Sequence, residues 1–224
     1  MQAEFHDIGL TDYNKAWELQ KNLYEKVLES RNAEPLSYLI FCEHPHVYTL
    51  GKYGQANNLL IGNNFLKSIG AQFVQSDRGG DITYHGPGQI VAYPLIDLDA
   101  AGYGIRDFIF KIEEAVILTL ATYHLHACRM EGATGVWLKG DGKPDRKICA
   151  IGVRVNHRIT MHGLAFNIMT DLKYFNYINP CGFTDKGVTS LVNEIGSGPD
   201  MNEVKNLLKI NLSEQLNLKL KQKE

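Results

Sequence analysis

Residues 78–89 read Arg78-Gly79-Gly80-Asp81-Ile82-Thr83-Tyr84-His85-Gly86-Pro87-Gly88-Gln89. Four glycines and a proline crowd into this short segment. Glycine admits positive φ and lets backbone amides come close to a bound group. Arg78 and His85 add polar donors. The spacing is neither that of a Walker loop nor that of a dinucleotide fingerprint, because no Gly-Lys-Ser/Thr follows. On residue chemistry alone the segment reads equally well as a tight structural connection and as a loop that lines a ligand.

Working outward, the segment is flanked by strand-forming residues at 72–75 and 89–96, with Pro94 leaving the end of the second strand open. Further upstream, 37–42 and 46–50 are also rich in strand formers. A helix is expected over 12–31, where Tyr13, Ala16, Trp17, Leu23, Tyr24, Val27 and Leu28 recur at helical spacing. Gln20 interrupts that face, so its amide needs a partner or a place at the edge. Thr11 is the expected N-cap. Downstream, a helix over 105–123 is apolar almost all round near 115–121, which predicts deep burial. Strands follow at 135–138, 148–155 and 159–168. The polar connection 139–146 should be an exposed turn. A final amphipathic helix runs from Met201 toward Leu218, and the charged tail 219–224 is expected to fray. Strands and helices mix without regular alternation, which favours an α+β fold, a mixed sheet flanked by helices, over a doubly wound one. No repeat, low-complexity run or linker divides the chain, so 1–224 is expected to form a single domain.

The bulk properties exclude some functions. With 23 basic and 25 acidic residues the net charge is −2, so no strong global field points to nucleic acid or to an anionic membrane. No apolar run is long enough to span a bilayer. The start, Met1-Gln2-Ala3-Glu4, lacks the basic and apolar pattern of a signal peptide. The four cysteines, Cys42, Cys128, Cys149 and Cys181, show no disulfide spacing and read as free thiols of a reducing compartment. The cytoplasm is the expected location. Cys42 and Cys128 read as core fillers and Cys149 as a strand packing residue. Cys181 lies between Pro180 and Gly182, in a break between periodic segments where a thiol can be presented.

Taken together, four segments resemble the lipoyl(octanoyl) transferase family in family order. They are Arg78-Gly79-Gly80-x-x-Thr83-Tyr84-His85-x-x-Gly88-Gln89, Lys147-Ile148-Cys149-Ala150-Ile151-Gly152, His162-Gly163-Leu164-Ala165-x-Asn167 and Asn179-Pro180-Cys181-Gly182. The resemblance implies the fold of the catalytic domain of biotin and lipoate protein ligases. It also implies transfer of an octanoyl group from octanoyl-acyl carrier protein, through a cysteine thioester, to a lysine of a lipoyl domain. The acceptors would be 2-oxoacid dehydrogenase complexes and the glycine cleavage H protein. In this reading Cys181 is the nucleophile and Lys147 faces it. The acyl substrate lies against Arg78, Gly79, Gly80, Asp81, Ile82, Thr83, Tyr84 and His85. It also touches Ala150, Ile151 and Gly152 on one strand and Gly163, Leu164 and Ala165 on the next. No cofactor or metal is called for.

The chemistry fits those residue types. A thiolate attacks a thioester and forms another of similar energy, so the acyl group stays activated for attack by an amine. A nearby ammonium favours thiolate over thiol, and a neutral lysine could later accept the proton of the attacking amine. An ATP-dependent lipoate ligase and an octanoyl amidotransferase of the same fold are the rival readings, with a catalytically dead acyl-carrier binder as the third. His124, His126 and Cys128 alternate as if to bind zinc, but no fourth ligand is placed by spacing. His44-Pro45-His46 is turned by its proline. His85 could bind substrate or orient a loop, while His162 could simply satisfy a core hydrogen bond. Tyr174, Phe175 and Tyr177 read as packing.

Overall fold

The computed structural model describes residues 1–31, 33–140, 142–179 and 186–221. In chain order its elements are β1 (Gln2–Leu10), α1 (Tyr13–Ser30), β2 (Tyr38–Glu43), β3 (Val47–Leu50), α2 (Asn63–Ser68), β4 (Gln72–Gln75), β5 (Ile82–His85), β6 (Gln89–Leu95) and α3 (Leu98–Ala101). There follow α4 (Ile105–Ala121), β7 (Ala127–Cys128), β8 (Val136–Leu138), β9 (Arg146–Asn156), β10 (Ile159–Asn167), β11 (Gly187–Val188), α5 (Leu191–Ile195), α6 (Met201–Gln215) and β12 (Lys219–Leu220).

The strands form two sheets. The larger runs β12-β1-β2-β6-β10-β9-β8-β7, with β11 added beside β9. β12, β1 and β2 are mutually parallel, and β2, β6, β10, β9 and β8 pair antiparallel in turn. The smaller sheet, β4-β3-β5, carries the start of the glycine segment into β5. The mixed sheet with flanking helices is the α+β arrangement expected from the sequence.

Side-chain alternation sorts the three central strands. Leu39 and Phe41 of β2, Ile90 and Ala92 of β6, and Leu164 and Phe166 of β10 join a core with Phe108, Ile112 and Val116 of α4 and Val204, Leu208 and Leu212 of α6. Their neighbours Ile40, Cys42, Val91, Tyr93, Met161 and Ala165 pack under Ala16, Leu23, Tyr24 and Val27 of α1. A third cluster, including Tyr48, Tyr84 and Tyr174, fills the smaller sheet.

Several expectations change in detail. Asp12, not Thr11, caps α1, its carboxylate accepting from the amides of Asn14 and Lys15 at 3.0 and 3.2 Å. The hydroxyl of Thr11 instead donates to the carbonyl of Ile8 at 2.7 Å, so it is committed to the preceding strand. Lys219 and Leu220 do not fray: they pair in parallel with Gln2 and Ala3. β1 itself was not read from the sequence, because most of it is half-exposed or exposed and lacks a clean apolar alternation. The deep burial expected of α4 near 115–121 holds on one face only: Ala115, Val116, Thr119 and Leu120 are fully buried, whereas Leu118 and Ala121 are exposed. Cys42 and Cys149 are fully buried, and burial pushes both thiols far up from their ordinary range. Cys128 is only half-buried, on the short strand β7.

Candidate active site

The segment 78–85 folds back over the large sheet because its arginine is tied inward. The buried Arg78 guanidinium donates to the carbonyl and hydroxyl of Thr49 at 2.6 and 2.9 Å, to the carbonyl of Asp81 at 2.7 Å and to that of Gly79 at 3.0 Å. A planar, always-charged fork suits such a set of fixed acceptors. Glycine is required here for two reasons. Gly80 has φ +87, and a β-carbon at Gly152 would lie 2.8 Å from the carbonyl oxygen of Gly79. The amide of Gly79 donates to the carbonyl of Val153 at 3.0 Å. At Gly79 and Gly152, therefore, what comes close is one stretch of backbone to another.

Beneath this fold-back lies a cavity with about 630 Å³ of open space, mouth included. One wall is Arg78, Gly80, Asp81, Ile82, Thr83 and His85; another is Ala150, Ile151 and Gly152 with Gly163, Leu164 and Ala165. Lys147 stands at the cavity as well. Fourteen residues were expected on the substrate and twelve border this cavity. The exceptions are Gly79, which faces a second groove, and Tyr84. The ring of Tyr84 points into the aromatic cluster, stacked on Tyr174 with centroids 4.9 Å apart, and its hydroxyl meets Nδ1 of His46 at 2.7 Å. Tyr84 shares its side of β5 with Ile82, and both join the aromatic cluster of the smaller sheet, Ile82 also reaching the cavity. Tyr174 and Phe175 pack around Tyr84, as the sequence led us to expect. Asp81 is at the rim, its carboxylate accepting from Gln55 N at 3.2 Å and Asn58 Nδ2 at 2.6 Å.

Sequence reasoning missed four wall residues: Tyr13, Val91, Tyr93 and His162 as a cavity group. The first three look like ordinary core on a helix and a strand. What sets the polar groups of this wall apart is their hydrogen bonding, which only the fold reveals. Tyr93 donates to or accepts from His44 Nε2 at 2.7 Å, Tyr13 pairs with Ser76 at 2.9 Å, and His85 Nδ1 meets Gln89 Oε1 at 2.8 Å. Burial depresses the pKa of His44 and His85, and the positive charge of Arg78 lowers His85 further.

His162 is held from two sides. Gln20 uses its side-chain oxygen to accept from the His162 amide at 2.8 Å, which meets the demand of the α1 face for the oxygen but not for the buried Nε2. Nε2 of the ring pairs with Asp77 at 2.7 Å, and Asp77 also binds Arg154. Burial raises Asp77, but the hydrogen bond and charge of His162 outweigh it and hold the carboxyl below its ordinary range. Burial depresses His162 despite that partner. Alternation with Leu164 and Phe166 would send His162 toward α4. Its φ of +59 turns the ring instead toward Trp17 and Tyr93, with centroids at 5.9 and 6.3 Å. A non-glycine residue in this region stores strain. His162 sits opposite Val153, six residues along β9 from Lys147, which is about 20 Å of strand. It belongs to the far end of the cavity and cannot serve chemistry at Lys147.

Lys147 is placed by the start of β9. Arg146 before it forms a two-pronged ion pair with Glu194 of α5, both contacts at 2.7 Å, which holds that carboxyl low. The Nζ of Lys147 is 4.7 Å from the ring centre of Trp137. β11 pairs Val188 with Lys147, so the chain that follows residues 180–185 runs beside it. Cys181 lies outside the described residues. Among the described residues, no group of three or more His, Cys, Asp or Glu side chains could hold a metal ion. No helix among them is long and apolar enough to cross a membrane.

Comparison with known proteins places this architecture. An octanoyltransferase of Bacteroides fragilis is 54% identical over 204 residues, spanning 90% of this chain and 92% of that one. An octanoyltransferase of Bacteroides thetaiotaomicron is 48% identical and spans 99% of both. Among solved structures, a lipoate-protein ligase A bound with ATP superposes with a TM-score of 0.74 at 18% identity, covering 100% of this chain and 89% of that one. The biotin protein ligase of Aquifex aeolicus, in complex with biotin and ATP, gives 0.53 at 11% identity, covering 96% and 70%. These two share the fold. Residues 12–213 match the lipoyl protein ligase A/B catalytic domain, and the chain belongs to that family.

Proposed function

We propose that this chain is an octanoyltransferase of protein lipoylation. It takes an octanoyl group from an acyl carrier protein onto Cys181 and passes it to a lysine of a lipoyl domain. The observation that carries the reading is a largely apolar cavity, walled by the glycine segment, β9 and β10, with Lys147 at its border. Relatives sharing about half their residues are octanoyltransferases, whereas the ATP-bound ligase is a distant likeness of fold. The chain works as one catalytic domain in the cytoplasm, and its donor and acceptor proteins dock in turn.

In the first step the Cys181 thiolate adds to the thioester carbonyl, and the carrier's sulfur leaves as a thiolate that takes up a proton. In the second step the acceptor amine adds to the new thioester. The Cys181 sulfur leaves, and the amine loses one proton as the amide forms. Lys147 beside the sulfur favours its ionised form as an ammonium. As a neutral amine, regenerated between steps, it can take the proton shed by the acceptor. An acyl-lysine on Lys147 would be an amide, which could not pass the group onward without fresh energy.

Intact-mass measurement after mixing with octanoyl-carrier protein tests the reading. One octanoyl mass, removable by hydroxylamine, should appear on the wild type and on Cys149→Ala, and be absent from Cys181→Ala. Transfer to a lipoyl domain should need no ATP. An adduct that persists in Cys181→Ala would falsify the nucleophile. Attachment of free lipoate that depends on ATP would instead favour the ligase reading.

A further inference from the structure

A file of buried side chains runs from the glycine segment to the backbone of Lys147. Arg78 donates through Nε and Nη2 to the hydroxyl of Thr49 at 3.1 and 2.9 Å, and that hydroxyl meets Nε2 of His85 at 3.3 Å. Nδ1 of His85 meets Oε1 of Gln89 at 2.8 Å. Gln89 Nε2 lies 3.2 Å from the carbonyl of Tyr84 and 2.9 Å from Oδ1 of Asn167, and Asn167 Nδ2 lies 3.0 Å from the carbonyl of Thr189. Arg78, Thr49, His85, Gln89, Asn167 and Thr189 are all buried. The amide of Thr189 donates to the Lys147 carbonyl at 2.9 Å, and its hydroxyl donates at 2.5 Å to Glu194, the ion-pair partner of Arg146. Thr49 and His85 belong to the smaller sheet, Gln89 and Asn167 to the larger, and among the described residues no strand ladder joins the two sheets. Side chains therefore help set how the sheets sit against each other.

The direction of every bond in the file can be deduced. A carbonyl only accepts, so the atom of Asn167 at Thr189 is the amide nitrogen, and its oxygen faces Gln89. Gln89 must give its nitrogen to that oxygen and to the carbonyl of Tyr84, which uses both its protons. Its own oxygen is left for His85, whose Nδ1 must carry the proton. From the other end, a guanidinium only donates, so both lone pairs of the Thr49 hydroxyl are taken and its proton goes to Nε2 of His85. The two ends agree on one state, a neutral ring protonated at Nδ1. Burial, the neighbouring His44 and the charge of Arg78 all disfavour the imidazolium there. A fully satisfied buried network rigidifies what it joins. We propose that Gln89 and Asn167 are positioning residues of the transfer reaction: through this one-way file they fix the backbone at Lys147 relative to the glycine segment that walls the cavity, with His85 a locked link and neither an acid nor a base. The role rests on the acyl-transfer reading above and names what holds the two parts of its site in register.

Nitrogen-15 shifts of histidine-labelled protein at neutral pH read the tautomer. Wild-type His85 should show Nδ1 protonated and Nε2 bare, and Gln89→Leu should lose that exclusivity. A ring protonated at Nε2, or an imidazolium, in the wild type overturns the file. Single-turnover loading from octanoyl-carrier protein reads the function. Asn167→Leu, similar in volume, should lose about tenfold or more in maximal rate per folded molecule, while half-saturation by the donor stays within about twofold. Gln89→Leu combined with Asn167→Leu should cost little more than either alone, because members of one unit fail together. Asn167→Ser, too short to span the gap, should show the same loss and serves where the leucine variant does not fold. Thr160→Val breaks a buried hydrogen bond to Pro94 outside the file; it should load at the wild-type rate, so lost stability alone does not explain the effect. File variants that load at the wild-type rate, losses that multiply, or a loss confined to half-saturation overturn the positioning role and leave acyl transfer intact. A wild type that takes up no octanoyl removes the transfer reading, and this role with it, whatever the tautomer.

Discussion

On one face of the large sheet, Leu39, Phe41, Ile90, Leu164 and Phe166 meet α4 and α6 through carbon alone. On the other, the same strands present Val91, Tyr93 and Ala165 beside a hidden polar set: Arg78, His44, His85 and His162. Both faces exclude water, so burial does not distinguish them. What differs is that one side is held by area alone and the other also by directional contacts between named atoms. The aliphatic side gains stability in proportion to area removed from water, and can trade one hydrocarbon for another. The cavity side is a chain of specific contacts, Gln20 to His162 to Asp77 to Arg154 and Thr49 to Arg78 to Asp81, where losing one partner strands another.

That contrast can be broken most forcefully at Phe166. Phe166→Ala should cost about 3–5 kcal/mol, as a large aromatic lost from a closed core does. The octanoyl transfer rate per folded molecule should hold, since the ring faces away from the cavity. Urea unfolding and single-turnover transfer would check both halves. A loss of transfer in the folded fraction would show that the two faces are not separable.

Arg78→Met keeps much of the stem and removes the fork. The carbonyls of Thr49 and Asp81 each lose a charged donor, so a loss of about 2–3 kcal/mol is expected. Transfer should fall at least tenfold beyond what unfolding explains, because the glycine segment loses its anchor. A variant as stable as the wild type, with normal transfer, would mean that the segment is held by something else.

The smallest effect is that of pH, and it comes from the histidines. His44, His46, His85 and His162 all have pKa values depressed by burial below the ordinary 6.5. Below that value the unfolded chain takes up protons that the folded chain refuses. Stability is therefore fully present above about pH 6.5 and declines as pH falls toward the folded values. The low-lying carboxyls of Asp77 and Glu194 add a further loss only nearer pH 4. The urea midpoint should drop between pH 7 and 5, and a flat or rising profile there would contradict the burial of these imidazoles as neutral rings.

How much of this could be read from the chain alone follows from the same distinction. α1 and α4 were legible because their apolar residues repeat at helical spacing, and β2, β6 and β10 because of their strand-forming content. β1 and β12 were not, since their pairing joins Gln2 to Lys219 across nearly the whole chain and neither shows a local pattern. The glycine segment was legible through its motif. Tyr13 and Tyr93 were not, because a tyrosine beside a cavity and one in a core look alike until the chain folds. The backbone of His162 was also out of reach: nothing in Met161-His162-Gly163 announces that the histidine, and not the glycine, takes the left-handed angle. Tyr84 entered by motif alone, and its ring lies in the aromatic cluster with Tyr174 and not at the cavity.

The tie between Arg78 and β3 has a consequence for motion. A glycine-rich crossing would ordinarily sample many shapes and would have to settle each time a ligand arrived. Here the amides of Gly51 and Lys52 donate to the carbonyls of Asp81 and Arg78 at 3.1 and 2.9 Å, and the guanidinium closes the remaining gaps. The crossing is thereby tied to the strand beside it at several points, and regions tied in this way open together with their neighbours. The amides of Gly51, Lys52 and Gly79, the last held by the carbonyl of Val153 at 3.0 Å, should exchange with deuterium as slowly as those of the strands, with or without an acyl group present. Entropy lost on ordering the site is then lost once, when the chain folds, and not at each turnover.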